Sequence, residues 1–286
     1  MTDPAGLPRG LAPGAPLPRQ VPAVPLPPGP PGTPGVAPPA WLGTATEHGR
    51  WEAVEFAAAP LGTAVRARVW SSPGLAASAT APLIVVHDGP EYDARSDLTH
   101  YLAACAATSE MPGLRAALLD PGDRDRWYSA NPGYARVLAG TVLPVLRGRW
   151  PTSHVIGMGT SLGALAWLHA HRLYPDVADA LFLQSGSFFL PDVDPQESGF
   201  PHFRAVIGFV LALHAAGSPA ARPVPTAMTC GATEENLGNN RQVALRLAAQ
   251  GYPVTLAETA GGHDWIAWRD AFDPWLADLV RRATRG

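Results

Sequence analysis

Apolar and polar positions change their spacing along the chain in a regular way. Pro82-Leu83-Ile84-Val85-Val86-His87-Asp88 is a continuous apolar run of strand length, the pattern of a strand buried on both faces. Leu114 to Leu119, His154 to Met158, Ala178 to Gln184, Val224 to Cys230 and Val254 to Glu258 repeat that pattern. Helical spacing lies between them, over Asp97 to Ala107, Tyr134 to Leu146, His202 to Ala215, Asn240 to Gln250 and finally Trp268 to Arg282. The segment after Ser161 is apolar nearly all round and stops before Pro175, which predicts a central, buried helix. Ahead of these blocks, Trp51 to Ala58 and Thr63 to Trp70 flank Pro60-Leu61-Gly62 as an opening hairpin. Strands alternating with helices from residue 82 onward predict an α/β fold: a mostly parallel central sheet with helices on both faces. Right-handed crossovers then align the carboxyl ends of the strands on one edge, so functional residues belong in the loops just after strands.

The first 40 residues do not share this patterning. Proline and glycine dominate there, with Pro-Leu-Pro-Pro-Gly-Pro-Pro-Gly among them, and such a segment has no apolar face to offset its ordering entropy. Residues 1–40 are therefore expected to form a disordered or polyproline-like tail, and 41–286 a single catalytic domain. Prolines interrupt every candidate h-region, so no signal peptide is expected. The longest apolar run elsewhere, Ala205 to Leu213, is too short to span a bilayer. A cytoplasmic protein without membrane association is the expectation.

Hydrophobic content of 47% with only 16% charged residues supplies a large core. A net charge of −3 leaves no polyanion-binding face, so a nucleic-acid partner is not expected. Cys105 and Cys230 make no metal-spacing motif and no disulfide framework, in keeping with a reducing compartment.

Chemistry concentrates at Gly159-Thr160-Ser161-Leu162-Gly163. A strand, a glycine-flanked turn carrying one serine, and an apolar helix make the G-x-S-x-G nucleophile elbow. Glycine stands two residues to either side because a side chain there would collide across the turn. A serine needs a base, and the base an orienting acid. In an α/β-hydrolase these follow the nucleophile as acid, then histidine. His263 fits, in the glycine-rich loop Gly261-Gly262-His263-Asp264-Trp265 after the last strand. His169 and His171 are two apart on a helix and face different sides, as structural residues do; His87 is either a substrate contact or a packed residue. The acid comes from Gly231-Ala232-Thr233-Glu234-Glu235-Asn236, and position favours Glu234 over Glu235. An oxyanion needs two N–H donors. Leu162 at the head of the helix is one; Pro90 has no N–H, which leaves Gly89 or Glu91 for the other. Tyr92, Trp127, Tyr128 and Trp265 are either walls of a pocket for aryl or bulky acyl groups or ordinary core.

The elbow, the Gly231-x-x-Glu234 loop and Gly262-His263-Asp264-Trp265 with Trp268-Arg269 resemble the esterase family of α/β-hydrolases. That family holds enterochelin-type siderophore esterases, feruloyl esterases, esterase D-type S-formylglutathione hydrolases and mycolyltransferases. The resemblance runs from about Trp51 to the C-terminus, and the Gly-Gly-His-Asp-Trp loop is most similar to the enterochelin esterase branch. It implies a Ser161–Glu234–His263 triad that hydrolyses a small-molecule carboxylic ester without a metal or organic cofactor. The family's Asp-Gly is present as Asp88-Gly89. Its Arg-x-x-Glu-Tyr segment is kept in part as Arg124-Asp125-Arg126-Trp127-Tyr128, with Trp127 in the place of glutamate and Arg124 retained as a substrate-binding candidate. Only the proline-rich tail and a hairpin precede the core, so no counterpart of the larger N-terminal domain of the enterochelin esterases is expected in residues 1–286. The same triad would serve acyl transfer to an alcohol, whereas a non-catalytic binding relative would carry a broken one.

Overall fold

The computed structural model describes residues 38–217 and 219–285. The tail expected over 1–40 thus falls almost wholly outside the described residues; Ala40–Gly43 is a short 3-10 turn whose Trp41 is buried against Tyr101 and Phe272.

Eight strands form one sheet: β1 Arg50–Phe56, β2 Val65–Ser71, β3 Ala81–Val86, β4 Arg115–Leu119, β5 Thr152–Thr160, β6 Ala180–Gln184, β7 Thr226–Gly231 and β8 Val254–Thr259. Their spatial order is β1-β2-β4-β3-β5-β6-β7-β8. The β1/β2 and β2/β4 pairings are antiparallel and all the others parallel. This is the α/β-hydrolase fold that the family resemblance implies, with the mostly parallel sheet that the alternation of strands and helices predicts.

The helices are α1 Gly89–Ser96, α2 Leu98–Ala107, α3 Arg124–Tyr128, α4 Pro132–Val137, α5 Leu143–Arg149, α6 Leu162–Leu173, α7 Phe203–Ala215, α8 Leu237–Ala249, α9 Trp265–Asp270 and α10 Trp275–Thr284. A π-helical turn, Leu138–Val142, joins α4 to α5. Side chains of the central strands alternate between two cores, as a period of two requires. Leu83 and Val85 pack with Val155, Leu181 and the α6 residues Leu165 and Leu168. Ile84 and Val86 pack on the other face with Ile156, Met158, Phe182 and residues of α2 and α10. Gly157 brings α6 close: a Cβ there would lie 2.5 Å from the Trp167 ring.

Four places depart from the sequence pattern: α3 is an added short helix, and the single helix expected over Tyr134 to Leu146 is α4, the π-helical turn and α5. The helix expected from Asp97 is preceded by α1, whose residues Gly-Pro-Glu-Tyr-Asp-Ala-Arg-Ser carry too few apolar positions to show a period; Pro90 in its first turn is the local signal. The last helix is two helices, because Pro274 cannot continue α9. Among the described residues no helix is long and apolar enough to cross a membrane.

Candidate active site

At the end of β5 the chain turns sharply at Ser161, with φ 54° and ψ −123°, and α6 begins at the next residue. A serine in this region is strained and must be held there by its surroundings. The Ser161 N–H donates to the Gln184 carbonyl (2.9 Å), and its own carbonyl accepts from the Ser187 N–H (3.2 Å), so the turn is strapped to the end of β6. The flanking glycines are required by space. A Cβ on Gly159 would sit 2.6 Å from the Gly163 backbone, and one on Gly163 would sit 3.1 Å from the His87 Cβ.

His87 lies beneath this turn, buried, with its ring stacked against Tyr128 and Trp167 at centroid distances of 4.5 and 5.0 Å. Its Nδ1–H donates to the Gly163 carbonyl at 2.9 Å. Burial pushes its pKa down to about 3, so the ring is neutral. His87 is therefore a packed residue that steadies the first turn of α6. His169 and His171 are buried as well, His169 against Phe209 and His171 bonded through Nδ1 to the Tyr252 hydroxyl.

His263, half-exposed in the loop between β8 and α9, holds its Nδ1 at 2.8 Å from Glu234 Oε2. The other oxygen, Oε1, accepts from the Ser185 hydroxyl (2.6 Å) and the Gly231 N–H (2.7 Å). The Ser185 hydroxyl in turn accepts from the Trp268 Nε1–H (2.9 Å), and the Trp268 ring meets His263 edge-on at 5.0 Å. Burial pushes the Glu234 carboxyl upward, but the bonds from His263, Ser185 and Gly231 outweigh it, and its pKa falls below the ordinary value. Gly231 is needed for this approach, since a Cβ would lie 2.4 Å from the Gly261 carbonyl oxygen. Glu235 is exposed and makes no bond to His263.

The hydroxyl of Ser161 meets that of Ser187 at 3.0 Å. Among the described residues no hydrogen bond joins Ser161 to His263, yet both line two clefts that meet at the elbow. The larger cleft, about 550 Å³, is walled by Leu162, Ser187, Phe189, Phe200, Glu197 and Glu235. The smaller, about 260 Å³, is walled by Asp88, Glu91, Arg124, Trp265 and Trp268. Arg124 is bound to Asp88 through both carboxylate oxygens, at 2.8 and 2.9 Å.

The expected site residues divide accordingly. Ser161, Leu162, Glu234, His263, Arg124 and Trp265 line one cleft or both. Tyr92, Trp127 and Tyr128 line neither and belong to the core: the Tyr92 hydroxyl donates to Gln184 Oε1 at 2.8 Å, Trp127 stacks on Tyr134, and Tyr128 stacks on His87. Gly89, the expected second oxyanion donor, lines neither cleft. Its Cα is pressed against the Leu118 backbone, where a Cβ would approach to 2.3 Å, while Asp88 and Glu91 are the residues of this loop that face the smaller cleft. Ser187 was not singled out from the sequence, although its place two residues after Ser185, at the end of a strand, was the available signal.

Eight strands in this order, with a strained serine between β5 and α6 and a carboxylate–histidine pair from the loops after β7 and β8, make the α/β-hydrolase fold. No family model matches the chain. The resemblance to the esterases is carried by its relatives: iron(III) enterobactin esterase of Dickeya dadantii (strain 3937) is 27% identical over 205 residues, 67% of this chain and 46% of that protein. The chain spans about half the length of the curated relatives it matches. Solved structures share its fold, among them two esterases. The enterobactin esterase of Shigella flexneri, in the presence of enterobactin, superposes with a TM-score of 0.71 at 20% identity over 86% of this chain and 63% of that one. A ferulic acid esterase superposes with a TM-score of 0.67 at 16% identity over 82% and 99%.

Proposed function

We propose that this protein is a serine esterase that hydrolyses carboxylic esters of small molecules through an acyl-enzyme. Ser161 is the nucleophile, His263 the base and Glu234 the acid that orients it. The observation that carries the reading is the meeting of a strained Ser161 with the His263–Glu234 pair in the same clefts. Because Nδ1 of His263 is held by Glu234, Nε2 is left to take the Ser161 proton as Oγ bonds to the ester carbon. The tetrahedral oxyanion is met by the Leu162 N–H at the head of α6 and by a second donor in the Asp88–Tyr92 loop. The proton then passes from His263 to the departing alkoxide, and water repeats the sequence to release the acid.

Enterobactin and ferulate esters, the substrates named for its relatives, set the first substrates to try: aryl esters and siderophore-like lactones. A cytoplasmic location goes with this reading, supported by two free, buried cysteines. The test is covalent labelling of Ser161 by a fluorophosphonate, with hydrolysis of p-nitrophenyl, feruloyl and siderophore lactone esters measured beside it. Ser161→Ala is expected to lose labelling and about 10⁴–10⁶-fold in kcat while staying folded. Substantial turnover by that variant would overturn the assignment.

A further inference from the structure

An ester must lay its acyl part and its alcohol part on either side of the attacked carbon, and here a cleft opens on each side of Ser161 and His263. The charges on their walls are lopsided. Arg124 is the one Lys or Arg among the described residues lining either cleft, and its guanidinium is already committed to Asp88 in two hydrogen bonds. Asp88 itself is buried and its charge offsets that of Arg124, so the pair carries no net charge, although the guanidinium stays partly exposed at the cleft. What remains in the smaller cleft is the carboxylate of Glu91, whose Oε2 is buried and has no hydrogen-bond partner, beside the indoles of Trp265 and Trp268. The larger cleft adds the carboxylates of Glu197 and Glu235.

A buried carboxylate oxygen without a donor is costly unless a ligand supplies one. Aromatic walls beside a carboxylate are the surroundings that attract an alkylammonium group, through the ring faces and through the charge. An anionic group entering the same space would meet these carboxylates, and the one cation there, Arg124, is already paired with Asp88. We infer that the smaller cleft is an ammonium-selecting subsite, with Glu91 as its anionic anchor and Trp265 and Trp268 as its walls, and that the protein acts on amine-bearing esters. The inference rests on the esterase reading and narrows its substrate class away from polyanionic ferric catecholates.

The experiment compares matched esters that differ in charge, on the full chain. On the acyl side these are the p-nitrophenyl esters of 6-aminohexanoic, heptanoic and adipic acids; on the alcohol side, acetylthiocholine against its uncharged dimethylbutyl isostere. At least one cationic ester is expected to exceed its neutral partner about tenfold in kcat/KM, and the adipate half-ester to fall below both. In Glu91→Gln the cationic-to-neutral ratio should drop to about one. Calorimetric binding of phenyltrimethylammonium, seen in the wild type and lost in Glu91→Gln, reads the subsite with no reaction at all. Equal rates across the charges, a preference that survives Glu91→Gln, or no binding of the ammonium probe would overturn the inference. Absence of turnover with every ester, together with no labelling of Ser161, would instead overturn the esterase reading.

Discussion

The hydroxyl oxygens of Ser161 and Ser187 lie 3.0 Å apart, and the Ser187 N–H is bonded to the Ser161 carbonyl. Ser161 directly follows β5 and Ser187 lies three residues beyond the adjacent parallel β6, where the backbone bond between them holds the two side by side. A hydroxyl has one proton to give. While Ser161 donates to Ser187 its proton is unavailable to His263; when Ser187 donates instead, the Ser161 proton is free to turn toward the imidazole. Ser187 thus selects among rotamers of the nucleophile. Ser187→Ala is expected to lower kcat about 5–10-fold with little change in KM, the scale of one neutral hydrogen bond. Steady-state kinetics with the rate of fluorophosphonate labelling check this, and unchanged values for both would reduce Ser187 to a packing residue.

Glu234 and Glu235 are neighbours in sequence with opposite environments. Glu234 is buried and fully bonded, with His263, Ser185 and Gly231 on its two oxygens, while Glu235 is exposed. Glu234→Gln keeps the shape but puts an amide where the imidazole N–H must be received, and kcat should fall by about 10⁴ through loss of the working tautomer. Glu235→Gln should keep most of the turnover of a neutral ester, as exposed substitutions usually stay within about 0.5 kcal/mol. Circular dichroism establishes that both fold. The reverse ranking would move the acid to Glu235, and two active variants would leave a Ser161–His263 dyad.

What could be read from the sequence was local, and what could not was tertiary. The run Leu83-Ile84-Val85-Val86 announces a strand buried on both faces, and alternate residues do enter the two cores. Gly159, Ser161 and Gly163 announce the elbow because the collision they avoid is between residues four apart. Glu234 and His263 could be found from chain order and strand ends alone. The contact of Ser161 with Ser187 depends on β6 lying beside β5, which no local pattern states. Tyr92, Trp127 and Tyr128 follow strands at the site's edge, but an aromatic side chain suits a core and a cleft equally well; only the packing against Gln184, Tyr134 and His87 decides it.

The elbow glycines provide a test of space against backbone freedom. Gly159→Ala puts a methyl carbon 2.6 Å from the Gly163 backbone, which no side-chain rotation relieves. A loss of about 1–3 kcal/mol or more is expected, with activity falling as Ser161 is displaced. Gly148 lies in α5 with nothing within 4 Å of a built Cβ. There Gly148→Ala should gain about 0.5–1 kcal/mol from helix propensity alone. Denaturant unfolding of the two variants measures both signs, and equal effects would show that the close approach at Gly159 is not what its glycine serves.

His87 gives the pH dependence of stability a specific source. Its pKa is about 3 in the fold against an ordinary 6.5, because burial between Tyr128 and Trp167 penalises the charged ring. Between those values the unfolded chain binds a proton that the folded chain does not. A group depressed in this way contributes stability that is present above pH 6.5 and is lost as pH falls toward 3. From pH 7 to pH 5 this group alone should cost about 2 kcal/mol. Glu234, whose pKa is also lowered, acts in the same direction at more acid pH. In His87→Asn the amide nitrogen can still donate to the Gly163 carbonyl where Nδ1 did, but nothing titrates. That variant will be less stable overall, since a ring is removed from a packed site. Its unfolding free energy should nonetheless fall less between pH 7 and 5 than the wild type's, by about the same 2 kcal/mol, while the contributions of Glu234, His169 and His171 cancel in the comparison. Urea unfolding of both proteins at pH 5, 6 and 7 measures the difference. Parallel curves would mean that the folded protein can protonate His87, and with it that the Gly163 carbonyl is not held by a permanently neutral ring.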